Sequence, residues 1–597
     1  MSAAAEITST SKDVFEFHSQ HGPLPYVPDD VTVVQFLLDS YHPNRPSCHP
    51  PMISKWIVDD DTGCGFTHDQ VQTRVDGLAN AIKARWNIGE DDVVAMFSPN
   101  HVDYTITIWA AHRLGAIISP ANPSFSVDEL VYQLNTTKAS LLFAHSSVYK
   151  VALEAAKVSG IPADRIVLID AAQPNGVVDK SLLTIEQLVS EGAKLPLRFT
   201  EKKLRSGEGK TKVAFLIFSS GTTGRPKAVA IAHYALIANT LQMAAISRVN
   251  DSSVPRSEQR FRPGDVSLLV VPLYHIYGIL INLHFQLFAG CTIIITQKFQ
   301  FTVMLGNISR YRINNLFLVP PMVVMICKHP AVKQFDLSSI RNIMIGAAPL
   351  SGELTKQLVN VLPEVSVFQG YGLTETSCSI TMGPTDKRIG TLGSAGQILP
   401  GIVARIIKAD GTFGRHGEQG ELVVWTPASA LCYSNNEQAT KETFVNGWIR
   451  TGDEVVIDKN HDVFVVDRLK EIMKVRGFQV APAELEGHLL DHLYVTDVCV
   501  VGVPDEFNGE VPMAFVVPSS KAKQLIKTGP QGVSEVKKAI CKHVSDAKVA
   551  YKHLAGGVEF VDSIPKNPSG KLLRRFMRDQ AKVLKEQQAK KGLTTKL

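Results

Sequence analysis

The residues best suited to chemistry lie in Leu216-Ile-Phe-Ser-Ser-Gly-Thr-Thr-Gly-Arg-Pro-Lys-Ala-Val229. An apolar, strand-like run passes straight into small hydroxyl and glycine residues, then a lysine. Gly221 and Gly224 let the backbone approach a ligand closely and adopt unusual dihedrals. Ser219, Ser220, Thr222 and Thr223 add hydroxyl donors and Lys227 adds a positive charge, a set that suits a polyphosphate. The spacing is not the GxxxxGK[ST] of P-loop NTPases, and no GxGxxG opens a βαβ unit. Gly370-Tyr-Gly372 begins like one but continues Leu-Thr-Glu.

Further segments join this loop in a recognisable order: Pro272-Leu-Tyr-His-Ile-Tyr-Gly278, Gly346-Ala-Ala-Pro-Leu350, Gln369-Gly-Tyr-Gly-Leu-Thr-Glu375, Trp448-Ile-Arg-Thr-Gly-Asp453, Asp467-Arg-Leu-Lys-Glu471, Gly477-Phe-Gln-Val-Ala-Pro-Ala-Glu484 and Pro565-Lys-Asn-Pro-Ser-Gly-Lys571. Together they resemble the adenylate-forming (AMP-binding) superfamily over roughly residues 50 to 575. The resemblance is greatest to 4-coumarate–CoA ligases and related peroxisomal acyl-CoA ligases. It implies an acid–thiol ligase that uses ATP, Mg²⁺ and coenzyme A to form an acyl-adenylate and then an acyl-CoA thioester.

By that resemblance Ser219 to Gly224 and Lys227 hold the phosphates of ATP. Gly346, Ala347, Ala348 and Tyr371 form the adenine slot, and Gln369, Gly370 and Gly372 join them in binding ATP and AMP. Thr374 meets the α-phosphate, and Glu375, a hard oxygen ligand, meets Mg²⁺. Asp453 holds the ribose hydroxyls with Arg468 beside it. Lys571 bridges carboxylate and α-phosphate, two anions that repel by roughly 4 kcal/mol at about 4 Å and an effective dielectric of 20. His275 borders the carboxylate site and the thiol entry, where a neutral imidazole would orient or deprotonate the thiol. Lys474 and Gln479 match positions used in activation or thiol transfer. Gly477 and Phe478 line the coenzyme A tunnel, and Tyr277 and Ile281 line the acid pocket, with Met322, Val323 and Ile326 as further apolar wall. The pocket leans towards an aromatic, cinnamate-like or medium-chain acid.

Elements able to position these residues are legible in the hydrophobic pattern. Apolar, β-branched runs (Asp92–Phe97, Leu141–Phe143, Arg165–Ile169, Val213–Phe218, Val266–Val271, Thr292–Thr296, Arg341–Ile345) alternate with helical patterns such as Val71–Arg85 and Val102–Leu114. This alternation predicts an α/β fold with largely parallel sheets. After Gly393 shorter strands (Val403–Ile407, Glu421–Trp425) among glycine-rich turns predict a β subdomain. The resemblance adds a small, mobile α+β C-terminal domain, dividing the chain into residues 1–466 and 467–597 with the hinge at Asp467. Past Lys571 the basic tail reads as a solvated helix.

Composition sets the remaining bounds. The chain has 597 residues, 45% hydrophobic and 20% charged, with a formal net charge of +5; this is ordinary for a soluble protein and gives no warrant for nucleic-acid binding. Eight cysteines include no CxxC pair, which argues against a disulfide framework or zinc site. The most hydropathic stretch, Ser267–Thr296, is broken by Pro272, His275, Asn282, His284 and Gln286 and reads as a buried strand–helix–strand, leaving no transmembrane segment. No secretory signal is evident at Met1–His21. Thr595-Lys-Leu597 approximates a peroxisomal address, the alternative location being cytoplasmic. Oligomeric state is not encoded in any motif. A noncatalytic acyl-adenylate or nucleotide sensor is the competing reading from another class; within the superfamily it is adenylation for a different acceptor. A sensor has no need of Lys571.

Overall fold

The computed structural model describes residues 14–46, 55–170, 182–219, 226–476, 478–505, 508–566 and 570–594, with side chains to residue 585. Ser220, Gly221, Thr222, Thr223, Gly224, Gly477 and Thr595–Leu597 lie outside the described residues.

The strand Val93–Phe97 is buried along its whole length, as a strand covered on both faces must be. The helix Val102–Arg113 carries the chain over to the parallel strand Ile117–Ala121. The preceding helix, His68–Trp86, starts at a reciprocal Thr67/Gln70 capping box and stops at a left-handed Asn87. This first sheet has eight strands, and Val213–Ser219 and Lys227–Ala232 form its one long antiparallel pair.

A second sheet of nine strands has a parallel centre: Ser366–Tyr371, Asn342–Ile345, Asn315–Leu318, Val266–Leu269, Thr292–Ile295 and Ile57–Asp59. The hydropathic stretch is the strand–helix–strand expected, with Val266–Leu269, Tyr277–Phe285 and Thr292–Ile295 in sequence. Its helix is wound as a π-helix, a form that recurs at functional sites. No helix among the described residues is long and apolar enough to cross a membrane.

The third sheet is antiparallel and contains Val403–Ile407, Gln419–Trp425, Trp448–Ile457 and Val463–Arg468, with Phe17–His18 on one edge. Its register sets Asp453 opposite Arg468. The chain leaves this sheet at Arg468 and enters a five-stranded fourth sheet at Met473. Apolar clusters cover both faces of the fourth sheet. One of them corrects the reading of the tail: Met577 and Ala581 of the helix Arg574–Thr594 are 4% and 0% exposed. With Leu584 they form an i, i+4, i+7 stripe on Val501 and Met513, a short apolar face within a strongly basic composition. The fold is thus mixed α/β, with a large N-terminal part and a small C-terminal one.

Candidate active site

Parallel strands of the second sheet deliver their C-terminal ends to a cavity of about 550 Å³, where open α/β sheets gather ligands. Val266–Leu269 leads to His275 and Tyr277, Asn342–Ile345 leads to Gly346 and Ala347, and Ser366–Tyr371 leads to Gly372, Thr374 and Glu375. From the first sheet come Ser219 and Lys227, paired across the antiparallel register. Arg468 from the third sheet, Lys571 from the C-terminal loop and Tyr433 also line it. Segments far apart in sequence therefore meet in one place.

Behind Tyr371 and Arg468, which both line the cavity, Asp453 is 3% exposed and does not itself line it. Its Oδ2 accepts from the Tyr371 hydroxyl at 2.7 Å, and Arg468 Nε lies 3.3 Å from Oδ1. Burial raises the carboxyl above its ordinary value, while Arg468 and the tyrosine hydroxyl draw it back. The result is an acceptor already oriented before any ligand arrives.

Glu375 is fixed in a different way. Its Oε1 accepts from the Tyr433 hydroxyl at 2.7 Å and from Ser219 Oγ at 3.0 Å. Lys227 Nζ lies 4.7 Å from the centre of the Tyr433 ring. Tyr433 escapes sequence reasoning because a two-residue edge strand has no periodic signature. Among the described residues no group of three or more His, Cys, Asp or Glu side chains is placed to hold a metal.

The apolar end is formed by the π-helix and its neighbours. Tyr277 turns its hydroxyl away, towards the carbonyls of Leu318 and Met344 at 3.3 and 3.4 Å. Only the ring is left as wall. A Cβ on Gly346 would lie 3.4 Å from that ring, so glycine keeps this side open. Ile281, Met344 and Cys378 continue the lining. Met322, Val323 and Ile326 do not line it: they are buried on the helix Pro320–Lys328, which turns them into the core.

His275 Nδ1 accepts the backbone N–H of Tyr277 at 3.2 Å. Burial, helped by the charge of Lys571, lowers its pKa to about 4. A neutral ring with Nδ1 so occupied carries its proton on Nε2 and acts as a donor. This geometry favours orienting a ligand over deprotonating it.

Lys571 is pushed down to about 8, first by burial and then by Arg468, with Asp453 and Glu375 opposing. Its loop can reach this depth because Gly570 has φ +81° and passes close to Val319, where a Cβ would lie 3.1 Å from a methyl group.

Several expected residues are elsewhere. Gln369 spends its carboxamide on Leu350, accepting N–H at 2.9 Å and donating to C=O at 3.3 Å. Neither it nor Ala348 lines the cavity. Lys474, Phe478 and Gln479 are exposed on the hairpin Met473–Val480 and do not line it either. Phe478 stacks on Tyr551 with ring centres 4.5 Å apart.

Comparison with known proteins agrees with this architecture. The profile of the AMP-binding enzyme family matches residues 43–434, and that of the AMP-binding enzyme C-terminal domain matches residues 484–571. The chain is 34% identical to the peroxisomal OPC-8:0-CoA ligase 1 of Arabidopsis thaliana, covering 94% of this chain and 95% of the relative. It is 33% identical to a probable 4-coumarate–CoA ligase 1 of Dictyostelium discoideum, covering 88% and 92% respectively. Among solved structures, the anthranilate CoA ligase AuaEII in complex with anthranoyl-AMP has the same fold, with a TM-score of 0.78 at 22% identity, over 94% of this chain and 99% of that one.

Proposed function

Because this chain belongs to the AMP-binding enzyme family, and is by its relatives an ATP-dependent carboxylate–CoA ligase, we propose that it activates an aromatic or medium-chain acid. The single observation that carries the substrate reading is the apolar end of the cavity. Tyr277 presents ring rather than hydroxyl there, and Ile281 offers no polar handle.

The division of labour is the one the family resemblance implies, and the lining of the cavity by Ser219, Lys227, Gly346, Ala347, Tyr371 and Thr374 supports it. Gly346, Ala347 and Tyr371 take the adenine, and Asp453 takes the ribose hydroxyls. Thr374, Lys227 and the loop from Ser219 to Gly224 hold the phosphates. Mg²⁺ suits this donor set, because that ion keeps several waters and phosphate oxygens and needs only one or two carboxylates. Glu375 would hold it, and the ion would supply charge neutralisation on the phosphates. Lys571 directs its amine to the space between carboxylate and α-phosphate, so the carboxylate oxygen attacks phosphorus as the bond to pyrophosphate breaks. In the second step the thiol sulfur attacks the acyl carbon and AMP leaves.

Lys474, Gly477, Phe478 and Gln479 serve that second step after the C-terminal part, residues 467–597, rotates about Asp467. The absence of Lys474, Phe478 and Gln479 from the cavity that holds Lys571 supports two alternating arrangements.

The test is pyrophosphate release from ATP across cinnamic, benzoic, phenylacetic and C6–C12 acids, with and without coenzyme A. Release that becomes rapid turnover to AMP and thioester with one of these acids is the expected result. Preference for acetate or another short polar acid would overturn the substrate reading. We further propose a peroxisomal location, supported by the name of the Arabidopsis relative and by Thr595-Lys-Leu597. Deleting these three residues is expected to disperse a tagged protein into the cytosol, and unchanged organelle staining would refute the address.

A further inference from the structure

We propose that Tyr433 is a positioning residue for the divalent-ion carboxylate, holding Glu375 so that it offers a single oxygen to the ion. The proposal rests on the reading of Glu375 as the ligand of that ion. Tyr433 and Ser219 both donate to Oε1, at 2.7 and 3.0 Å. Among the described residues Oε2 takes no hydrogen bond. A carboxylate with one oxygen claimed by two hydroxyls cannot turn to chelate through both. Mg²⁺ requires near-octahedral geometry and favours such one-oxygen ligation.

The ring is itself held from several sides. Cys432–Tyr433 pairs antiparallel with Lys227–Ala232, setting Tyr433 opposite Val229. Tyr433 N–H donates to Thr440 Oγ1 at 3.0 Å, and Asn436 caps the helix that carries Thr440 by accepting from Ala439 N–H at 3.0 Å. Phe444 meets the ring edge-on at 5.7 Å. The backbone is fastened too: Ala430 N–H donates to Glu375 O at 2.9 Å. Lys227, over the ring face, withdraws density from it and makes the hydroxyl a stronger donor. One side chain thus links the phosphate-side lysine to the metal-side carboxylate.

The test compares the affinity for ATP in Mg²⁺ with that in EDTA, by calorimetry without acid or coenzyme A, so no turnover is involved. Tyr433→Phe keeps the ring over which Lys227 sits and removes only the hydroxyl. It is expected to weaken binding of ATP with Mg²⁺ about tenfold, while ATP in EDTA stays within about twofold. Ser219→Ala removes the other donor to the same oxygen. As a phosphate-loop residue it is expected to weaken ATP in both media but more strongly with Mg²⁺, so the ratio of the two affinities still reads the positioning role if the tyrosine variant folds poorly. Equal weakening in both media by these variants would mark a merely structural role and overturn the proposal. Glu375→Gln separates the two layers. If it removes the Mg²⁺ advantage while Tyr433→Phe and Ser219→Ala leave it intact, the positioning role fails and the ligand reading stands. If Glu375→Gln also leaves the advantage intact, the ligand reading fails and takes the proposal with it.

Discussion

Replacing Lys571 by alanine is expected to cut adenylate formation by about 10²–10³-fold, the usual loss when a pre-positioned electrostatic group is removed. Thioester formation from supplied acyl-AMP should continue at close to the parent rate. The asymmetry follows from where repulsion arises. Carboxylate and α-phosphate are both anionic only before the adenylate forms, so the amine between them acts on the first step. In the second step the nucleophile is a thiol, and the reacting carbon belongs to a mixed anhydride already activated. Measuring pyrophosphate release and acyl-AMP consumption on the same preparation checks both halves, and equal losses would refute the two-arrangement reading.

The same residue sets an expected pH limit. Its pKa of about 8 lies below the ordinary lysine value of 10.5. Lys571 is therefore charged below about pH 8 and neutral above it, and kcat/KM for adenylation should fall above that point, roughly tenfold per unit. In kcat the break should move to higher pH, since bound phosphate and carboxylate favour the ammonium form. Without ligands the sign for the closed arrangement is opposite to that for activity. An open, solvated Lys571 binds its proton up to about 10.5 and the buried one only to about 8, so closure of the empty site becomes easier as pH rises between these values. Burying the charged amine costs roughly 3 kcal/mol by the size of that shift, and anionic substrates offset this cost. On the proposed rotation about Asp467, closure would in this way be coupled to having something to act on.

Much of this was legible in the sequence because the signals were contiguous. The strand Val93–Phe97 reads as a strand through five successive buried apolar residues, and the phosphate loop follows directly on another such run. Asp453 and Arg468 each sit in a local motif, and the hairpin register does the rest. What escaped depends on long-range partners. Phe17–His18 gains its place by pairing with Val403–Ala404, nearly four hundred positions away. Gln369 sits within the adenine motif, yet its amide is taken by the backbone of Leu350. His275 could be recognised but not assigned, since its tautomer depends on the backbone N–H of Tyr277. Tyr433 combines both difficulties, being a short edge strand with partners from three separate segments.

Asp453→Ala is the second large effect, expected to lower kcat/KM for ATP by about 10²–10³-fold through the loss of two hydrogen bonds to a charged acceptor. A plain fall in rate would not identify the ribose as the partner, because removal also takes from the Tyr371 hydroxyl and Arg468 the carboxylate they share. The discriminating substrate is 2′,3′-dideoxy-ATP. The parent enzyme should prefer ATP to it by a similar factor, whereas the variant, with nothing to receive the hydroxyls, should scarcely distinguish the two. A second readout follows from the charge network. Asp453 is the leading group holding the Lys571 amine up against burial and Arg468, so its removal should move the alkaline break in kcat/KM below pH 8. Undiminished preference for ATP over the dideoxy nucleotide would refute the ribose assignment. Lost preference with an unmoved alkaline break would keep that assignment and refute the coupling between ribose site and catalytic amine.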